Sequence, residues 1–228
     1  MDRSVTWERI GAAAGIAFVA LLLASFFVIP DAPPALDDPI GKIRAYYVDN
    51  SSNFQASVFL TGLAGFFFLG FLGALTTTLT RAEPGGWLRH VVVPAGAIVL
   101  ALAFVNAAVT DALATRVAAE ADQAVIRALY DVQAFTITFA AFPIAAFVGA
   151  VASVSRRTRL LPPLVTLLGL ILVPAWLVSG FAVFTESGTF SPTGAFGLVV
   201  VLAWLAWILA VSASLLRRSG MAPAPNAA

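Results

Sequence analysis

Six apolar runs of about 20 residues constrain this chain more than any other feature of its sequence. A bilayer core about 30 Å thick is crossed by roughly 20 helical residues. None of the runs contains a charged residue, and none alternates like a strand of a membrane barrel. Since unpaired backbone groups are costly in hydrocarbon, each run is expected to be a helix. The predicted spans are 10–29, 54–79, 91–110, 134–153, 161–184 and 195–216.

The spans predict an all-α membrane protein with one six-helix transmembrane domain over residues 1–218. The composition agrees, because 60% of the residues are hydrophobic and only 11% are charged, against about 25% in soluble domains. Residues 219–228, MAPAPNAA with the two preceding residues, are predicted to be a disordered tail. A cleaved signal peptide is the alternative for the first run, but the run is long and lacks a clear cleavage site.

The basic residues predict the orientation. Nine of the thirteen fall on one side of a six-span drawing: Arg3, Arg9, Arg81, Arg89, Arg156, Arg157, Arg159, Arg217 and Arg218. Basic loops stay in the cytoplasm, so both termini are predicted to be cytoplasmic in a multi-pass protein of the plasma membrane. Lys42 is the only lysine, and the excess of arginine is typical of a GC-rich bacterial genome.

The first outer loop, DDPIGKIRAYYVDNSSN, predicts a short amphipathic helix. Asp38 is expected to cap it and Pro39 to occupy its first position. Apolar side chains follow at helical spacing: Ile40, Ile43, Tyr46 and Tyr47. The helix is expected to lie on the membrane and cover the outer face of the bundle. A plain interfacial helix is the favoured interpretation, and an outer lid formed by Tyr46 and Tyr47 over a binding site is the alternative.

Polar residues gather near the outer ends of the third and fourth spans. Asp111 and Asp131 are expected at headgroup depth, and Arg127 can form a structural ion pair with Asp131 four residues later. The candidate pocket residues are Asn106, Thr110, Asp111, Tyr130, Asp131, Gln133 and Thr136. They predict either a network of interhelical hydrogen bonds, which we favour, or an outward-facing pocket for a cation, a proton or a polar solute.

Small residues four apart predict close contacts between helices. Gly11 and Gly15 form a GxxxG pattern in the first span, and Gly70 and Ala74 have the same spacing in the second. Packing within one chain is the favoured interpretation, and association of two copies is the alternative.

Several kinds of chemistry lack the residues that they need. The chain has no cysteine and a single histidine, His90, so we expect no metal site, no haem and no other cofactor. No catalytic motif is present, and we expect no enzyme activity. A net charge of +1 gives no basic field for nucleic acid. The expected partners are membrane lipids and another membrane protein.

Four segments carry a resemblance to known proteins: AYYVDN, FLGALTTTLTRAE, ALYDVQAF and RLLPPLVTLLGLIL. With these segments the chain resembles a family of six-span integral membrane proteins from GC-rich, mainly actinobacterial, genomes, to which no activity is assigned. The resemblance implies no functional residues. The favoured function is therefore that of an accessory or structural membrane protein acting through a protein or lipid partner. The alternative is a small carrier or ligand-binding sensor that uses a polar pocket between spans three and four.

Overall fold

The computed structural model describes the backbone of residues 3–220 and the side chains of residues 9–218. All regular structure in this part is helical, and six helices are long and apolar enough to cross a membrane. The helices are α1 (Arg3–Phe27), α2 (Ile40–Asp49), α3 (Ser51–Ala82), α4 (Arg89–Ala112), α5 (Ala118–Glu120), α6 (Gln123–Thr158), α7 (Pro163–Ser179) and α8 (Ala195–Gly220). The prediction of an all-α, six-span membrane protein is confirmed. The helix α8 includes residues 219 and 220 of the predicted tail, and the rest of that tail lies outside the described residues.

The six spanning helices form a closed ring in the order α1, α3, α4, α6, α7 and α8, in which α8 returns to α1. Short connections between antiparallel neighbours favour such an order. Small residues bring α1 close to its neighbours: a Cβ at Gly11 would collide with Ala74 of α3, and one at Gly15 would collide with Ser212 of α8. The GxxxG pattern thus serves packing within one chain.

Three helices are longer than the membrane is thick: α3 with 32 residues, α6, and α4 with its continuation, and the last two extend furthest beyond their predicted spans. Helix α6 has 36 residues, which is about 54 Å, against a hydrocarbon core of about 30 Å. Helix α4 continues through a π-helical turn (Leu113–Val117) into α5. The predicted spans 91–110 and 134–153 therefore cover only the apolar middle of these helices, and the excess lies mainly at the end of the bundle that carries α2. We call this the α2 end and the opposite end, with Arg156, Arg159, Arg217 and Arg218, the arginine end.

The helix α2 is amphipathic as predicted, but its apolar face contacts protein. Ile43 and Tyr47 are fully buried against the extensions of α4 and α6. The predicted cap at Asp38 is wrong in detail, because Pro39 is the N-cap residue and makes no side-chain capping bond. The carboxylate of Asp38 instead accepts hydrogen bonds from the backbone N–H of Ala35 at 2.8 Å and from Lys42 at 2.7 Å. These two bonds are local and join the loop before α2 to the first turn of that helix.

The two halves of the ring are filled differently. Toward the arginine end, large side chains meet on the axis with no exposed surface, among them Phe71, Phe147 and Trp207. The indole N–H of Trp207 donates to the backbone oxygen of Val165 at 3.0 Å, which joins α8 to the start of α7. Toward the α2 end, the side chains leave a cavity between the helices.

Candidate functional site

A polar network joins three helices at the α2 end. We define it as Tyr47, Asn106, Thr110 and Gln133. The Tyr47 hydroxyl donates to Gln133 Oε1, and Gln133 Nε2 donates to Thr110 Oγ1 at 2.8 Å. The Thr110 hydroxyl donates to the backbone oxygen of Asn106 at 2.8 Å, and Asn106 Nδ2 donates to the backbone oxygen of Gln133 at 3.0 Å. Each polar side chain of the network thus has a partner inside the bundle.

Two other predicted residues hold the loop before α2. The Tyr130 hydroxyl donates to the backbone oxygen of Pro34 at 2.5 Å. The Arg127 guanidinium donates to the backbone oxygens of Leu36 and of Asp38, the latter at 2.7 Å. The predicted ion pair of Arg127 with Asp131 is wrong, because the guanidinium turns toward these carbonyls and no direct contact with Asp131 occurs among the described residues. Burying the loop's carbonyls without a donor would cost more than an exposed ion pair contributes.

The two carboxylates that framed the predicted pocket stand apart from the network. Asp111 is half-buried and accepts a hydrogen bond from Thr115 of the following turn at 3.3 Å. Asp131 is also half-buried, and no hydrogen bond to it is found among the described residues. The residues predicted as one cluster therefore divide into an internal network, a loop anchor at Tyr130, and two separate carboxylates.

A cavity of about 410 Å³ lies below the network. All six spanning helices contribute to its walls, each from the half nearest α2. The sequence placed a pocket between α4 and α6 alone, whereas the cavity lies inside the whole ring. Of the predicted residues, five line it: Tyr46, Asn106, Thr110, Gln133 and Thr136. Four do not: Tyr47, Asp111, Tyr130 and Asp131.

Aromatic rings form much of the cavity wall that faces the arginine end. Phe18 and Phe68 have their ring centroids 5.0 Å apart, and Trp176 and Trp204 meet edge to face at 6.1 Å. Both indole N–H groups are buried and have no acceptor among the described residues. The wall is thus broad, apolar and polarisable.

Neutral groups close the cavity toward α2. Tyr46, from the predicted lid, lines the cavity and packs edge to face on Phe54 at 5.1 Å. Burial, followed by the negative charge of Asp31, raises the pKa of Tyr46 to about 12. Burial also raises the pKa of Tyr47 above its ordinary value. Both phenols are therefore neutral near pH 7, and none of the described residues that line the cavity is charged.

Sequence reasoning missed one polar edge of the cavity. Ser57 and Thr61 lie one helical turn apart on α3, and Ser25 lies on α1. Ser25 and Thr61 donate to backbone oxygens of their own helices, which leaves their lone pairs available as acceptors. The signal was present in the sequence, because two hydroxyl side chains four apart in an apolar span mark one face of a helix.

The described residues contain no group of three or more His, Cys, Asp or Glu side chains that could hold a metal ion. Comparisons of the chain with protein families, with curated proteins and with solved structures found no match. The multi-pass membrane character and the cavity are thus the observations on which function can be argued.

Proposed function

We propose that this chain is an accessory membrane protein that holds one neutral, lipid-like molecule in the cavity at its α2 end. The observation that carries the proposal is a cavity inside the membrane-spanning ring whose described lining has no charged side chain. Its volume of about 410 Å³ falls within the range of roughly 300–1,000 Å³ that small-molecule sites occupy.

The lining argues for an amphiphile. The aromatic wall of Phe18, Phe68, Trp176 and Trp204 suits an acyl or prenyl chain, because apolar surface and rings make many dispersion contacts. The hydroxyls of Tyr46 and Ser57 also line the cavity and have no acceptor among the described residues. They suit a neutral polar group such as an alcohol, an ester or a ketone at one end of that chain.

A carrier of cations, protons or small polar solutes has less support. Such a carrier needs ionisable groups that face its pathway. Asp111 and Asp131 do not line the cavity, and the side chains of Asn106, Thr110 and Gln133 each donate a hydrogen bond within the bundle. These bonds support the interpretation of the polar residues as an interhelical network, which leaves an apolar space beneath it.

We also propose that the protein lies in the plasma membrane of a bacterium, with both termini in the cytoplasm. The distribution of arginine over the loops supports this orientation. The cavity would then open toward the outer leaflet. The proposal includes no chemical reaction, and the protein would act by presenting or sensing the bound molecule together with a partner protein.

The test is identification of the lipid that co-purifies with the full chain in mild detergent, by extraction and mass spectrometry. Ala103 lines the cavity, so Ala103→Phe would fill it. Ala101 is exposed on the same helix, so Ala101→Phe makes the same change on the lipid-facing side. We expect close to one amphiphile per chain in the wild type and in Ala101→Phe, and about a tenfold loss in Ala103→Phe. Equal lipid content in all three proteins would contradict the proposal.

A second measurement uses the tryptophans as reporters. Dibrominated stearyl alcohol should quench the fluorescence of Trp176 and Trp204 in the wild type, with saturation at one molecule per chain. Dibrominated stearate should bind more weakly, because no charged side chain in the described lining offsets the desolvation of a carboxylate. Circular dichroism and size-exclusion chromatography establish that the Ala103→Phe protein is folded, and Ala107→Phe serves as the replacement if it is not.

A further inference from the structure

A second depression lies at the arginine end, on the opposite side of the membrane from the cavity. It is an open groove of about 710 Å³ between the end of α6, the start of α7 and the end of α8. We call it the arginine groove. The lining includes Ser155, Leu167 and four arginines, Arg156, Arg159, Arg217 and Arg218.

Four guanidinium groups line the groove, and no described carboxylate lies beside them. Among the described residues, no acidic side chain lies within ion-pair distance of Arg156, Arg159, Arg217 or Arg218, and none lines the groove. The nearby Glu83 pairs instead with Arg157 at 3.3 Å, and Arg157 is not part of the lining. Among the described residues no acidic side chain offsets the positive charge of the groove, and an anion would relieve the repulsion among its arginines.

The backbone between α6 and α7 brings two of these arginines together. Arg159 has a φ of 54°, the left-handed region that favours glycine and that no other non-glycine residue of the described chain adopts. This turn places the backbone oxygen of Arg159 where Arg218 donates to it at 2.7 Å. Strained backbone of this kind is frequent at ligand sites. Here it holds the end of α8 against the loop that begins α7.

Two further features of the groove favour an anion. The hydroxyl of Ser155 belongs to a side chain that is 1% exposed, and it has no hydrogen-bond partner among the described residues. Helix α7 begins at Pro163 in the same groove, and the N-terminus of this 17-residue helix carries a partial positive charge, although Pro162 and Pro163 have no N–H to donate. The hydroxyl and the guanidinium groups are the donors here, and both kinds of group bind phosphate.

The other wall of the groove is apolar and faces the membrane. Leu167 lines the groove and is 53% exposed, and Leu164 one turn away is 79% exposed. Free phosphate makes no use of such a wall, whereas the acyl chains of a lipid would cover it. Basic pockets between spanning helices at the membrane surface are suited to anionic headgroups. We infer that the arginine groove binds the phosphate-bearing headgroup of an anionic phospholipid, with its acyl chains along α7.

The test is native mass spectrometry of the full chain in detergent micelles that contain a defined lipid. Phosphatidylglycerol and cardiolipin are the probes, and phosphatidylcholine is the neutral comparison. Each arginine near a membrane surface contributes about fivefold to the affinity for anionic lipid. We therefore expect binding about thirtyfold weaker in the double variant Arg217→Gln with Arg218→Gln. Arg89→Gln is the matched control, because Arg89 lies at the same end but outside the groove lining.

The variant Arg159→Gly separates binding from folding. Glycine suits the left-handed conformation, so this protein should unfold at the same or a higher temperature while its affinity for phosphatidylglycerol falls about fivefold. Inorganic phosphate at millimolar concentration distinguishes the source of the anion. Failure of phosphate to displace the lipid supports the inference. Full displacement would overturn it in favour of a free-anion site, and equal losses in Arg89→Gln and in the groove variants would overturn it in favour of non-specific attraction.

Discussion

The same six helices build a hollow half at the α2 end and a solid half at the arginine end. In the hollow half, α3 presents Ser57, Thr61 and Ala64 to the axis of the ring, whereas in the solid half it presents Phe71 and Leu75. Each of the six helices runs through both halves and is apolar enough to span the membrane. Hydropathy therefore determines that these helices cross the bilayer, but the volume of the side chains on one face determines whether the ring encloses a cavity.

The two halves also differ in charge: the described cavity lining of the hollow half is uncharged, whereas the groove of the solid half carries four arginines. The described lining of the hollow half is uncharged, and the network of Tyr47, Asn106, Thr110 and Gln133 pairs some of its polar side chains. The solid half has its charges in an open groove at the surface. An internal charge would be costly in hydrocarbon, whereas a surface charge beside lipid phosphates is favourable. The two sites are thus expected to select a neutral and an anionic molecule respectively.

The largest effect should come from enlarging side chains in the two halves. Gly11→Leu in the solid half should destabilise the protein by about 3 kcal/mol, because even its Cβ collides with Ala74. Ala107→Leu in the hollow half should change stability by less than about 1 kcal/mol, because Ala107 lines the cavity. Equilibrium unfolding in mixed micelles measures the free energy of unfolding of each variant. Gly73→Leu, where a Cβ meets nothing within 4 Å, is the control. Equal costs for Gly11→Leu and Ala107→Leu would abolish the distinction between the halves.

Loss of the polar network should have the next largest effect. Gln133→Leu removes the bonds to Tyr47 and Thr110 and should cost about 1–2 kcal/mol, since interhelical bonds in membranes contribute about 0.6 kcal/mol each and unpaired buried partners add to the loss. Gln55→Leu on the exposed face of α3 is the matched control. If the Gln133→Leu and Gln55→Leu proteins had the same melting temperature, the network would not be what holds the α2 end together.

The third effect is the contribution of the buried Tyr46 phenol to stability at alkaline pH. Because the pKa of Tyr46 is raised to about 12 from 10.0, folding holds its proton more tightly than the unfolded chain does. Its contribution to stability is complete below pH 10 and is lost as pH rises through 10 toward 12. Melting temperatures of Tyr46→Phe should therefore fall less steeply over this interval than those of the wild type. Parallel curves would show that Tyr46 is not buried as described.

The smallest effect is expected at the surface of the α2 end. The hydrogen bond from Lys42, followed by that from the backbone of Ala35, lowers the pKa of Asp38. A lowered pKa stabilises the folded state above the ordinary value near 3.8 and loses that contribution as pH falls below it. Asp38→Asn should lower the melting temperature slightly at pH 7 and leave it unchanged at acid pH, where the wild-type carboxyl group is also neutral. A large loss at pH 7 would mean that the loop before α2 depends on this carboxylate.

The sequence predicted part of the candidate site. Asn106, Thr110 and Gln133 were expected together because helical spacing places Asn106 and Thr110 on one face of α4, and a short connection brings α6 beside it. The separation of Asp111 and Asp131 could not be predicted, since the rotation of each helix about its axis depends on how all six pack. Arg127 was assigned to the wrong partner for a similar reason: the carbonyls of Leu36 and Asp38 are distant in sequence and reach it only through the folded loop.

The sequence by itself determined that the chain crosses a membrane six times as helices, because run length, hydropathy and the need to pair every backbone group leave no other solution. It also determined where an amphipathic helix precedes the second span. Only the tertiary structure decided that the ring is hollow at one end, and that Arg156, Arg159, Arg217 and Arg218 converge in a groove at the other. Both features arise from side chains far apart along the chain, and closure of the ring brings them together.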